Sequence, residues 1–130
     1  MQRVLIAGSR NWDDVDKVEA VLRHLSEDTV VVHRGREGAE AIAARVADQA
    51  GQVVELVSTD GVPFVRRREL ECDTIALNGV CQLIVFRNPG ISLDIDRLIW
   101  LATKAGIDVV VHESHRRNIV RLNRVRTVRS

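Results

Sequence analysis

Three short segments carry the residues best suited to chemistry. They are Gly8-Ser9-Arg10-Asn11-Trp12, His33-Arg34-Gly35-Arg36-Glu37-Gly38-Ala39-Glu40 and Arg87-Asn88-Pro89-Gly90-Ile91-Ser92-Leu93-Asp94. Each follows an apolar run, contains glycine and leads into a helical pattern. Glycine lets the backbone approach a ligand, and a helix N-terminus offers N–H groups to phosphate. Arg10, Arg34, Arg36 and Arg87 add bidentate donors beside those turns. The chemistry implied is recognition of a phosphate-bearing small molecule. Some positions keep two readings. Gly8 suits a tight turn or a ligand approach, and Gly90 with Ser92 suits a turn with an N-cap or a phosphate contact. Gly35 and Gly38 flank two charged residues, which favours ligand approach. Trp12 is a base-stacking platform or a core residue.

These loops need a scaffold that brings them together, and the sequence supplies one. Arg3–Ala7 (RVLIA), Thr29–His33 (TVVVH), Gln52–Ser58 (QVVELVS), Gln82–Phe86 (QLIVF) and Ile107–Val111 (IDVVV) read as strands, the first with the shape of a buried parallel strand. Helices alternate with them. Val15, Val18, Leu22 and Leu25 recur at helical spacing behind a capping Asp13. Ala39–Ala50 carries Ile42, Ala43, Val46, Ala47 and Ala50 on one face. Phe64–Asn78 reads as a helix of poor periodicity. Ser92 caps a last helix with Leu93, Ile95, Leu98, Ile99 and Ala102. The order βαβαβ(α)βαβ predicts an α/β fold. It is a Rossmann-like three-layer sandwich, with a mostly parallel sheet of about five strands and helices on both faces. In such a sheet the ligand site lies beyond the C-terminal strand ends, where the three loops fall.

The chain has 130 residues, 45% hydrophobic and 28% charged, enough for one ordinary domain that needs no disulfide or metal staple. No apolar run approaches the roughly 18 residues of a membrane span, and MQRVLIAGSRNW does not read as a signal peptide. A cytoplasmic protein without membrane contact is expected. Cys72 and Cys81 form no framework and read as buried thiols in a reducing compartment. His112-x-x-His115 has too few companions for a metal site, so both read as surface residues at a strand end. His33 reads as hydrogen-bonded structure, with a role beside the Gly35 turn left open. No metal and no cofactor is expected.

Taken in order, the motifs resemble the YspA-like proteins of the SLOG superfamily, which also holds the lonely-guy phosphoribohydrolases and the DprA and Smf proteins. Gly8-Ser9-Arg10-Asn11-Trp12 resembles the opening GSRxW. His33-x-Gly35-x-x-Gly38-Ala39-Glu40-x-Ile42-Ala43 is similar to HGxxxGAD-x-x-A, with Glu40 for Asp and one residue fewer in the loop. Arg66-Arg67-Arg68-Glu69-Leu70 resembles the RNxxM helix, and Pro89-Gly90-Ile91-Ser92-Leu93-Asp94 the GGTxD turn. The likeness runs over residues 3–111. It implies nucleotide binding through Gly8, Ser9, Arg10, Asn11, Trp12, Gly35, Arg36, Gly38, Ala39, Glu40, Arg66, Arg67, Asn88, Pro89, Gly90 and Ser92. In the phosphoribohydrolases, an Arg and a Glu by the PGGxGT turn help break the bond between base and ribose phosphate. Here Ile91 replaces a glycine of that turn, and Ile95 stands where the catalytic Glu would fall. Those departures argue against an efficient hydrolase and are less damaging to binding. A hydrolase would need a carboxylate for an oxocarbenium-like centre or its water, and Glu40, Glu69 and Asp94 are the candidates. Each also suits a capping or solvated helix position.

Net charge is +1, yet the last 16 residues hold Arg116, Arg117, Arg121, Arg124, Arg126, Arg129 and no acid, so the first 114 carry −5. The expected division is a nucleotide-binding domain over 1–113 and an Arg-rich tail over 114–130, with Ile119, Val120, Leu122, Val125 and Val128 able to support a final strand or helix. The tail suits a solvated or oligomer-contacting element, a phosphate-contacting nucleic-acid surface, or arginines lent to a neighbouring subunit's site. The leading expectation is a protein that senses or sequesters a nucleotide-derived small molecule, as a homodimer or larger. Hydrolysis of an N-glycosidic bond in a nucleoside monophosphate and a DprA-like nucleic-acid role are the alternatives.

Overall fold

A computed structural model describes the backbone of residues 2–57, 68–114 and 125–129, and the side chains of 2–57 and 73–114. Six strands, β1 (Gln2–Gly8), β2 (Thr29–His33), β3 (Val53–Leu56), β4 (Gln82–Arg87), β5 (Asp108–Glu113) and β6 (Val125–Arg129), form one sheet in the order β3-β2-β1-β4-β5-β6. All five pairings are parallel. Four helices intervene: α1 (Val15–Arg23), α2 (Ala39–Gln49), α3 (Arg68–Leu77) and α4 (Leu93–Lys104). The expected α/β sandwich is present, with six strands where about five were expected. The additional strand is β6, which sets Arg126 opposite Val110 and Arg129 opposite Glu113 at the sheet edge.

Strand alternation divides the core into two layers. Leu5, Ala7, Val30, Val32, Leu83, Val85, Val109 and Val111 face Ala76 and Leu77 of α3 and Ile95, Leu98, Ile99 and Ala102 of α4. Val4, Ile6, Val31, Ile84 and Phe86 face Val18 and Leu22 of α1 and Ile42, Ala43, Val46 and Ala47 of α2. Each large aliphatic or aromatic side chain so buried contributes roughly 1.5–3 kcal/mol. Strands covered on both sides read as continuous apolar runs, which explains their legibility.

Three expectations change. The cap of α1 is Asp14 rather than Asp13, since its Oδ1 accepts from the Lys17 backbone N–H at 3.0 Å, three residues on. Cys81 is exposed rather than buried, because it lies in the turn before β4. His112 is buried rather than on the surface, stacked on the Phe86 ring with centroids 5.3 Å apart. Cys72 and His115 lie outside the described side chains. No described helix is long and apolar enough to cross a membrane.

The burial of His112 has a pH consequence. Its Nδ1 has no hydrogen-bond partner among the described residues, and burial, aided by the nearby Lys17 charge, pulls its pKa down to about 4. The unfolded chain therefore takes up this proton first as pH falls below 6.5. Stability drops until pH passes the folded value, by roughly 1.4 kcal/mol per unit and about 3 kcal/mol in all. His112→Phe keeps a ring against Phe86 and removes the titration. Urea unfolding at pH 7 and pH 4.5 should show a smaller acid loss in the variant. An equal loss in both proteins would place the acid sensitivity elsewhere.

Candidate functional site

The strand order makes β1 and β4 neighbours at the sheet centre. The chain leaves β1 towards α1 and β2 on one side, and leaves β4 towards α4 and β5 on the other. In a doubly wound sheet this switch point, beyond the strand ends, is where a ligand crevice falls. The β1–α1, β2–α2 and β4–α4 loops line it.

Direct bonds tie these loops together. The Ser9 hydroxyl accepts from the Asn88 backbone N–H at 2.8 Å, and the Asn88 side-chain amide donates to Asn11 Oδ1 at 2.8 Å. The Ser9 carbonyl accepts from the N–H groups of Trp12 and Ala39, both at 3.2 Å. The first loop is thus fastened to the other two. Close approach is enforced by glycine. A Cβ on Gly8 would lie 2.1 Å from the Phe86 carbonyl oxygen and 2.6 Å from Ala39 Cβ. Gly38, with φ +76°, would place one 2.3 Å from the Ser9 oxygen. Gly38 is also the N-cap of α2 and supplies no side-chain bond to its first turn.

The third loop is more open. Gly90 takes φ +120°, and a Cβ there would meet nothing within 4 Å. Ile91, which replaces a glycine of the resembled turn, is 89% exposed. The Ser92 hydroxyl caps α4 by accepting from the Ile95 N–H at 3.4 Å. Arg87 donates to Asp96 Oδ1 at 3.0 Å and to the Gly90 carbonyl at 3.2 Å, bracing the loop from beneath.

The candidate carboxylates separate by environment. Glu40 is fully buried. One oxygen accepts from the Arg34 backbone N–H at 2.6 Å, and the other from Arg34 Nη2 at 2.7 Å and Nε at 3.2 Å. Arg34 Nη1 continues to the fully buried Asp73 of α3 at 2.9 Å. Arg97 Nε of α4 reaches the second Asp73 oxygen at 3.1 Å. Arg97 Nη2 lies 3.4 Å from Asp94 Oδ1, and Arg36 Nη1 lies 3.9 Å from Asp94 Oδ2. These charges form an open chain of alternating sign that runs from Glu40 through Arg34, Asp73, Arg97 and Asp94 to Arg36. Asp94, 40% exposed, faces outward from it. Glu69 belongs to α3, its side chain outside the described set, and Arg66 and Arg67 lie outside the described residues.

Trp12 has the core placement of its two readings. It is buried, its ring centroid is 5.5 Å from that of Phe86, and its indole N–H donates to the Asp14 carbonyl at 3.0 Å. Arg10 and Asn11 are exposed beside it. His33 Nδ1 accepts from the Gly35 N–H at 3.1 Å, which requires that nitrogen unprotonated. Burial lowers the His33 pKa, and the Glu40 charge partly opposes it. Asp73 and Arg97 were missed from the sequence. They lie 39 and 63 residues beyond Arg34, and no local motif marks them. Among the described residues, no cluster of three or more His, Cys, Asp or Glu side chains is placed to hold a metal ion.

Residues 2–61 match the model of the YspA, cpYpsA-related SLOG family. No curated protein matches the chain. Among solved structures, DNA processing protein A (DprA) from Streptococcus pneumoniae is similar, with a TM-score of 0.74 and 16% identity. The match covers 92% of this chain and 52% of that one, so the chain spans about half the length of its neighbour. At that identity the likeness concerns the fold. The loop order over residues 8–40 and the doubly wound sheet agree with the family match, and residues 2–61 are similar to the YspA, cpYpsA-related SLOG family.

Proposed function

We propose that the protein binds a nucleotide or nucleotide-derived small molecule in the crevice between the β1 and β4 ends, as a sensor or sequestering protein. The observation that carries this reading is the fastening of three glycine-bearing loops through Ser9, Asn11 and Asn88. Such cross-loop bonds pre-arrange backbone that a ligand would otherwise have to order. Arg10 lies exposed at the rim, and the N-termini of α2 and α4 add dipoles favourable to an anion. Hydrolysis of an N-glycosidic bond has less support. Glu40 is bound on both oxygens, and Asp94 already faces two arginines.

The test is a thermal-shift panel of mononucleotides, dinucleotides, ADP-ribose and cyclic nucleotides, each mixture then chromatographed. A ligand at 100 times its Kd adds about 2.7 kcal/mol, near 10 °C for a domain of this size. A shift with intact ligand supports the reading. A shift with released base establishes the hydrolase. No shift with any member overturns both.

A nucleic-acid role is the second reading, favoured by the DNA-processing neighbour and the six tail arginines. Because β6 belongs to the sheet, its test should spare that strand. Replacing Arg116, Arg117, Arg121 and Arg124 by glutamine should then weaken DNA binding and flatten its salt dependence by nearly one unit of log–log slope per lost phosphate contact. Light scattering on the same preparations reads the proposed assembly into dimers or larger species.

A further inference from the structure

We propose that Asp94 is a built-in competitor for the ligand's anionic group, and that Arg36 is the side chain for which the two compete. This rests on the reading of the crevice as a nucleotide site and names the residues that set its anion affinity. The charge chain is uneven. Its inner links, Arg34 to Glu40, Arg34 to Asp73 and Arg97 to Asp73, run from 2.7 to 3.1 Å around fully buried carboxylates. Its outer link, Arg36 to Asp94, is 3.9 Å long, with the two side chains 23% and 40% exposed. A partly exposed pair at that distance is cheaply broken. Arg97 remains on Asp94 when Arg36 leaves, so the carboxylate keeps a counter-ion.

Arg36 and Asp94 come from the two loops that flank the first one across the rim. An anion seated between these loops therefore takes Arg36 from Asp94 and exchanges one ion pair for another. Without Asp94, Arg36 is ready for the anion in advance. A carboxylate that bound the ligand directly, through a ribose hydroxyl or as a catalyst, would act in the opposite sense. The effect of neutralising Asp94 thus distinguishes the two roles.

The experiment titrates full-length protein with inorganic phosphate and with adenosine 5′-monophosphate, read by calorimetry. Asp94→Asn should tighten both probes roughly fivefold, the range of a partly exposed ion pair. Glu37→Gln removes an exposed carboxylate from the same rim and should change either probe less than twofold. Arg36→Gln should weaken both. In the Arg36→Gln background, Asp94→Asn should lose its gain, the signature of direct coupling between the two. Weaker or unchanged binding by Asp94→Asn overturns the inference, as does an equal gain with Arg36 replaced. If neither probe binds wild type or Asp94→Asn, the inference falls. A shift with another nucleotide of the panel would then leave the proposed function standing.

Discussion

Replacing Arg34 by methionine should destabilise the protein by about 3–5 kcal/mol, the usual consequence of removing one partner from a buried ionic network. The side chain of Arg34 is 6% exposed and touches two carboxylates that are wholly buried. Methionine fills a similar volume and returns no charge. Glu40 keeps the backbone N–H of residue 34, and Asp73 keeps Arg97, so neither is stripped of every partner. What remains is Asp73 with one cation and a desolvated Glu40 held by a backbone N–H. Urea unfolding at pH 7 measures the loss. A triple variant, Arg34→Met with Glu40→Gln and Asp73→Asn, should recover much of it, because removing a whole buried network is close to neutral. If the single variant loses less than 1 kcal/mol, the guanidinium is not the keystone that its geometry implies.

Gly38→Ala should cost about 4 kcal/mol, combining strain at positive φ with overpacking of roughly 1–3 kcal/mol each. The added methyl meets the backbone carbonyls of Ser9 and Arg10 at 2.3 and 2.4 Å, and backbone cannot rotate aside as a side-chain tip can. Relief requires the first and second loops to part, which breaks the Ala39 N–H bond to Ser9. Gly90→Ala serves as the comparison. Its φ of +120° is also unfavourable for alanine, but its surroundings are empty, so it carries strain without collision. Thermal unfolding should rank Gly38→Ala well below Gly90→Ala. The reverse order would mean that the loops separate more easily than their contacts suggest.

The contrast between these two residues shows what the sequence disclosed. Glycine at 8, 35, 38 and 90 marked loops where backbone must turn or approach, and the buried strands and helical spacings fixed where those loops would meet. Backbone collisions at Gly8 and Gly38 bear on packing between loops, a distinction that residue type alone does not make. Arg34 reads locally as one more rim arginine. Its meaning comes from Asp73, 39 residues away across the sheet, and charge partners at that separation leave no local trace. Strand β6 was ambiguous for a related reason. Val125-Arg126-Thr127-Val128-Arg129 breaks its apolar residues with two arginines, unlike the continuous apolar runs of β1 and β4. Trp12 offered an indole fit for stacking or for the core, and only the position of Phe86 decides between them.

The burial of Trp12 also gives the molecule its own optical probe. The chain has two tryptophans, and the other, Trp100, stands half exposed on α4 with the Lys104 ammonium 4.7 Å from its ring centroid. A Trp100→Phe protein would fluoresce from Trp12 alone. Its indole sits one residue from Asn11, whose side chain clasps Asn88 across the crevice. Any molecule that loosens or tightens that clasp alters the surroundings of a single emitter, so occupancy can be followed in real time without a label.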